Sequence, residues 1–332
     1  MRALVTRLDS FGDVLLAGPA IRAVAARADT VTLLCGPRGA PAARLLPGVD
    51  DILVWDAPWV GFTPPPVGRG EVDQLIDTIE ASAADTALIL TSFHQSPLPA
   101  ALLLRLAGVG FIAADSDDYP GSLLDVRHQR APHAHEAEAA LDLAAAAGFP
   151  AADDGRLRVL PPPPTAGLTG PGPYVVVHPG ASVPARAWSP GRCAEAVREL
   201  AAAGHRVVVT GGPEESELTA FVAGEQALDL GGRTGAAELS GVLAGADTVV
   251  TGNTGPAHLA AAVGTPVVSL FAPVVPAGRW RPYGVPYVLL GDQDAPCADS
   301  RARQCPVPGH PCLDTVTAHD VVTAVEKLRG ER

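Results

Sequence analysis

Along the chain, short apolar runs alternate with stretches whose apolar positions recur at helical spacing. In the first half, residues 2–8, 31–35, 52–55, 87–91 and 109–114 are apolar runs of strand length. Most do not alternate in polarity, which is the pattern of a strand buried on both faces of a parallel sheet. Between them, residues 20–28, 72–82 and 100–107 read as helices, and an alanine-rich helix over 135–148 closes this half. Residues 161–173 carry prolines at 161 to 164, 171 and 173. No helix or central strand is expected through that density of proline, so this stretch marks a domain boundary. The alternation then resumes, with strands over 174–178, 206–210, 227–230, 248–251, 266–271 and 287–290. Helices are expected over 190–203, 215–224, 236–244, 256–263 and 318–329. Right-handed βα crossovers turn this order into an α/β protein with two doubly wound sheets.

Composition narrows the function classes. The 332 residues exceed one ordinary core, and 47% hydrophobic with 18% charged content describes a globular protein. A formal net charge of −12 argues against nucleic acid as a partner, because phosphate contacts need a basic face. A local pocket for a phosphate-bearing small ligand stays compatible with it. Lys327 is the single lysine, so basic chemistry rests on arginine. The cysteines are Cys35, Cys193, Cys297, Cys305 and Cys312, an odd number in a chain too large to need a disulfide framework. Cys297, Cys305 and Cys312 with His310 have the chemistry of zinc ligands, but the spacing matches no zinc finger and no Cys-x-x-Cys occurs. A reduced, proline-rich loop without metal is expected there, and no cofactor. His128, His133 and His135 read as part of a solvated connector. No secretory leader is expected, because the first strand runs straight into a functional-looking loop. No run of about 18 apolar residues is long enough to span a membrane. A cytoplasmic protein is expected, with peripheral membrane contact left open.

Four loops after strands carry candidate chemistry, since open α/β sheets bind ligands at the carboxyl ends of their strands. The first holds Asp9, Ser10, Gly12 and Asp13. Gly12 permits a tight turn, and Asp13 reads either as a reactive carboxylate or as the cap of the next helix. The second is His178-Pro179-Gly180-Ala181-Ser182, followed by Arg186 and Trp188. Small residues there let amides approach a phosphate, and Arg186 offers a bidentate clamp. The third is Thr251-Gly252-Asn253-Thr254-Gly255-Pro256-Ala257-His258. Thr254 is a candidate cap, Pro256 suits the first turn, and amides at the helix start favour a pyrophosphate. His258 reads equally as a satisfied helix histidine. The fourth is Gly211-Gly212-Pro213-Glu214-Glu215, where a carboxylate suits ribose hydroxyls or the helix start. No G-x-G-x-x-G follows any expected strand, which disfavours a nicotinamide oxidoreductase.

Taken together and in order, these segments resemble glycosyltransferase family 9, the ADP-heptose:lipopolysaccharide heptosyltransferase family. The carriers are MRALVTRLDSFGDVLLAGPAIRAV, HPGASVPARAWSPGRCAEAVREL, VVVTGGPEE and TGNTGPAHLAAAVGTPVVSLFAP, and the resemblance covers nearly the whole length. It implies a GT-B fold, two Rossmann-like domains facing across a cleft. Residues 1–160 would bind the acceptor, 161–173 link, 174–314 bind the nucleotide-sugar, and the helix in 315–332 pack back on the first domain. It implies an inverting, metal-independent transfer from a nucleotide-diphosphate sugar, with ADP-heptose as donor and a glycan, glycolipid or small glycosylated acceptor. Asp13 falls on the family's catalytic base, Arg186 on its phosphate-binding Lys, and Glu215, beside Glu214, on its ribose-contacting Glu. Thr254 and Gly255 fall on its phosphate-binding turn. Ser182, Asn253 and His258 complete the expected donor site; Asp9, Ser10 and Gly12 form the acceptor-side loop. Two departures stand out: Arg at 186 keeps the charge with a different geometry, and Asn253 stands where many members carry Asp. Alternative readings are a nucleotide-sugar epimerase or hydrolase, or a non-catalytic nucleotide-sugar-binding protein, on the same architecture.

Overall fold

The computed structural model describes residues 1–330. The chain divides into two compact units, Met1–Leu160 and Pro161–Arg332. In the first, β1 (Arg2–Arg7), β2 (Thr30–Cys35), β3 (Asp51–Val54), β4 (Thr86–Ile89), β5 (Phe111–Asp115) and β6 (Val126–His128) form one parallel sheet. Its order is β3-β2-β1-β4-β5-β6. In the second, β7 (Val175–His178), β8 (Val207–Val209), β9 (Ala227–Asp229), β10 (Thr248–Gly252), β11 (Val267–Leu270) and β12 (Tyr287–Leu290) repeat the plan as β12-β11-β10-β7-β8-β9. Each sheet therefore has a switch point, between β1 and β4 and between β7 and β10, where the chain reverses its direction of winding. At such a point the flanking loops diverge and leave a crevice at the carboxyl edge.

The core explains the unalternating strands. Ala3, Leu4 and Val5 of β1 are buried, as are Val175, Val176 and Val177 of β7, because helices cover both sheet faces. Helix Pro190–Ala202 shows the local logic. The Ser189 hydroxyl accepts the Arg192 amide at its start, Pro190 occupies the first turn, and Cys193, Ala196, Val197 and Leu200 turn inward. Burying Val197 and Leu200 stabilises the unit by about 1.5–3 kcal/mol each.

Three features depart from the sequence reading. The expected single helix over 20–28 is preceded by a separate short one, Phe11–Leu16, and starts earlier, at Gly18–Ala25. Strand β6 was not expected, since Val126, Arg127 and His128 lack an apolar run at this sheet edge. The proline-rich stretch contains one helical turn, Ala166–Thr169, because no proline falls between 164 and 171. Helix Ala318–Gly330 packs on helix Pro190–Ala202 and beside β10 and β12 within the second unit. Its Val321, Val325 and Leu328 join the same core as Val197 and Leu200.

Candidate functional site

In the first unit, the β1/β4 switch point is filled by charge. Asp13 sits within helix Phe11–Leu16, and its two oxygens have separate jobs. Oδ2 accepts the Ser10 hydroxyl at 2.6 Å and the Ser10 amide at 3.3 Å, so the capping role is real. Oδ1 accepts from Nη2 of Arg7 at 3.2 Å. The cap and reactive-carboxylate readings are thus compatible in one side chain, 18% of which stays exposed.

Arg7 organises this edge. It ends β1 with its side chain 2% exposed. Nε faces Asp9 Oδ2 at 3.0 Å, and Nη2 reaches Asp13, the Ser92 hydroxyl at 2.9 Å and Glu136 Oε2 at 3.3 Å. Burial alone would lower its pKa, but the Asp9, Asp13 and Glu136 carboxylates outweigh that and raise it. Asp9 lies in the loop after β1 and is buried there, with Oδ1 taken by Gln95 Nε2 at 2.5 Å. Burial pushes its carboxyl up to about 6, against the pull of Arg7. Further along the edge, Arg130 joins Glu136 at 2.6 Å, Asp115 at 3.1 Å and the Thr91 carbonyl at 2.6 Å, and His128 bonds Asp115. His128 and His135 are therefore not parts of a solvated connector. His135 is buried and caps helix Glu136–Ala146, its Nδ1 accepting the Ala137 amide at 3.2 Å. Sequence reasoning missed Arg7, Ser92, Arg130 and Glu136. The available signal was a guanidinium closing an otherwise apolar strand.

In the second unit, the β7/β10 switch point is built from small residues. His178 closes β7, with Nδ1 3.0 Å from the Thr210 hydroxyl. Burial pushes its pKa down to about 4, so the ring is neutral near neutral pH. The 3.8 Å approach of Glu215 Oε2 is then a contact with a neutral ring. Glu215 Oε2 accepts the Gly212 amide at 2.8 Å, which ties down the loop after β8. Glu214 is exposed beside it.

The turn after β10 leads into helix Gly255–Ala262. Thr254 holds the cap position, but its hydroxyl lies 3.4 Å from that of Thr251 and does not cap the helix. Asn253 is buried, with its side-chain amide toward the Ala272 carbonyl at 3.5 Å and its oxygen toward the Ala272 amide at 3.4 Å. It pins the turn to the end of β11. His258 is buried in the first helical turn. A Cβ at Gly252 would lie 3.2 Å from the Arg186 carbonyl, so its absence lets the 3₁₀ turn Pro184–Arg186 close against β10. Arg186 is thereby brought beside the 252–255 turn, and Ser182 stays exposed in the loop before it.

The cysteine-bearing segment braces this arrangement. Ala185 donates its amide to the Arg303 carbonyl at 2.9 Å, and its carbonyl meets His310 Nε2 at 3.2 Å. Trp188 donates to the Leu313 carbonyl at 3.0 Å. Burial pushes the Cys312 thiol, beside Cys297 and Cys305, up to about 12. Among the described residues, no group of three or more His, Cys, Asp or Glu is arranged to hold a metal. Among them also, no helix is long and apolar enough to cross a membrane.

Residues 73–310 match the sequence profile of glycosyltransferase family 9 (heptosyltransferase). Lipopolysaccharide heptosyltransferase 3 of Escherichia coli is 30% identical over 164 residues, 47% of this chain and 46% of that protein. The matched region thus spans about half the length of this curated relative. A glycosyl transferase family 9 structure from Veillonella parvula covers 100% of this chain and 97% of its own, with TM-score 0.78 and 18% identity. The E. coli heptosyltransferase WaaC with ADP-2-deoxy-2-fluoro heptose covers 98% and 99%, with TM-score 0.72 and 21% identity. At these identities the two structures establish a shared two-domain α/β fold of the GT-B kind.

Proposed function

The chain belongs to glycosyltransferase family 9, and from that premise we infer that it transfers a heptose from ADP-heptose to an acceptor hydroxyl, with Asp13 as general base. The observation that carries the reading is the Asp13 carboxylate, held by Arg7 and Ser10 at the β1/β4 switch point with part of its surface open. As the acceptor oxygen attacks the anomeric carbon, Asp13 takes its proton. A positioned base of this kind contributes roughly 10²–10⁴-fold. Attack from the face opposite the leaving group inverts the anomeric centre. The leaving diphosphate is the concern of the second unit. The helix start at Thr254 and Gly255 has no side-chain cap, so its dipole and amides suit an anion. Arg186 adds a full positive charge, and together they stabilise the departing charge without a metal. Glu215 and Ser182 lie on loops of the same sheet edge and suit the ribose and phosphate.

The choice of donor draws on the E. coli enzyme solved with an ADP-heptose analogue, and a lipopolysaccharide-type glycan acceptor draws on the curated relative. The test is turnover of ADP-heptose with an inner-core lipopolysaccharide acceptor, in the presence of chelator. Asp13→Asn should keep ADP affinity and lose at least about a hundredfold in kcat. Transfer by that variant at the wild-type rate would remove Asp13 from the chemistry. Free heptose or an epimer appearing without acceptor would instead favour a hydrolase or epimerase.

A further inference from the structure

We propose that Glu136 is a positioning residue for Asp13, acting through the shared guanidinium of Arg7. The inference rests on the reading of Asp13 as the base only for its consequence in catalysis; the coupling itself stands on geometry. Three acceptors converge on Arg7 Nη2: Ser92 Oγ at 2.9 Å, Asp13 Oδ1 at 3.2 Å and Glu136 Oε2 at 3.3 Å. That nitrogen carries two hydrogens, so the three compete for two N–H bonds. How tightly Arg7 grips Asp13 is therefore set in part by how much of Nη2 Glu136 claims.

Glu136 does not cap its own helix. It opens helix Glu136–Ala146, yet the capping is done by its neighbours: His135 accepts the Ala137 amide, and Glu138 Oε2 accepts the His135 amide at 3.3 Å. Its side chain is 0% exposed, and a fully buried carboxylate is tolerated only when paired. Buried ion pairs are a poor source of stability compared with apolar packing. What this one supplies is a fixed link. Glu136 Oε1 is held by Arg130 at 2.6 Å, and Arg130 is held in turn by Asp115 and the Thr91 carbonyl. The link runs from Asp13 through Arg7, Glu136 and Arg130 to Asp115 and His128, so three strands and two helices anchor the position of one carboxylate. The charged and titratable groups around Glu136 are Arg7, Asp9, Asp13, Arg130, Asp115, His128, His135 and Glu138. The two guanidiniums face the carboxylates of Asp9, Asp13, Glu136 and Asp115; Asp9 is raised chiefly by burial, with Asp13 and Glu136 adding to it against the pull of Arg7.

The test is a ¹³C-carboxyl NMR titration of the full-length protein labelled at aspartate, with the Asp13 signal assigned by its loss in Asp13→Asn. Glu136→Gln removes a negative charge and a competitor for Nη2, so the Asp13 midpoint should fall by about one pH unit. Glu136→Asp, which restores the charge, should bring it back. Should Glu136→Gln fail to fold, Arg130→Met should move the midpoint up instead. A midpoint unmoved in the folded variant overturns the proposal. The acid limb of kcat against pH should follow the NMR midpoint. A midpoint that moves while the kcat limb stays would sink Asp13 as the base and leave the coupling intact.

Discussion

Gly180 and Glu215 are packed so closely that a Cβ on residue 180 would sit 1.9 Å from Glu215 Oε1. The glycine in the loop after β7 was read as a place for a phosphate to approach an amide. Its contact in the fold is with a carboxylate of the next βα loop. Gly180→Ala should push the Glu215 side chain aside and break its 2.8 Å bond to the Gly212 amide. The displaced atoms are the flexible end of a side chain, so the stability loss should be modest, about 1 kcal/mol. Denaturant melts check the stability and calorimetry with ADP checks the site. If Glu215 serves the ribose, affinity should fall together with the melt.

His178 should make the protein sensitive to mild acid. Its folded pKa of about 4 lies below the ordinary 6.5. Between these values the unfolded chain binds a proton that the folded chain refuses, so stability falls as pH drops from 6.5 toward 4. From pH 7 to pH 5 the loss is about 2 kcal/mol. Asp9 acts in the opposite sense, because its raised pKa favours the folded state as pH falls through about 6. Urea melts at pH 7 and pH 5 should therefore show a smaller loss for His178→Gln than for the native chain. Equal losses would show that the buried imidazole does not govern this window.

Arg186 should matter to nucleotide binding more than to folding. Charge-assisted hydrogen bonds contribute about 2 kcal/mol, so Arg186→Ala should weaken ADP binding roughly thirtyfold. Arg186→Lys should recover part of it, since a point charge still attracts phosphate without the bidentate geometry. Unchanged affinity in the Ala variant would take residue 186 out of the donor site.

Asn253 should resist exchange for Asp at neutral pH. Its amide faces the Ala272 carbonyl in a buried place, where a carboxylate has no proton to donate. Asn253→Asp should cost about 1–3 kcal/mol at pH 7. Part of that should return near pH 4, where the new carboxyl can protonate. Thermal melts at both pH values distinguish this from a loss that is independent of pH.

Much of the turn after β10 was legible in the sequence. Gly252, Thr254, Gly255 and Pro256 are local signals: each residue type suits its own backbone position, and four neighbours in sequence remain neighbours in space. The bonds between Asp13 and Ser10 are equally local, three positions apart after an apolar strand. Strand β6 was illegible because its three residues carry no apolar run, and its pairing with β5 comes only from the sheet edge. The surroundings of Asp9 were illegible for a related reason. Its position in the loop is local, but its burial depends on Gln95 and Ser92, which arrive from the end of β4.

Hydrophobic periodicity and loop chemistry by themselves determined the α/β class, most of the alternating order of strands and helices and which loops were candidates for chemistry, because those are properties of adjacent residues. Only the tertiary structure decided that Arg7, Asp13 and Glu136 share one guanidinium, since residues 7 and 136 stand 129 positions apart. It likewise decided that Gly180 makes room for Glu215. Nothing in a linear pattern records which side chains meet when strands distant in the chain are laid side by side, and the energies of buried charge depend on those meetings.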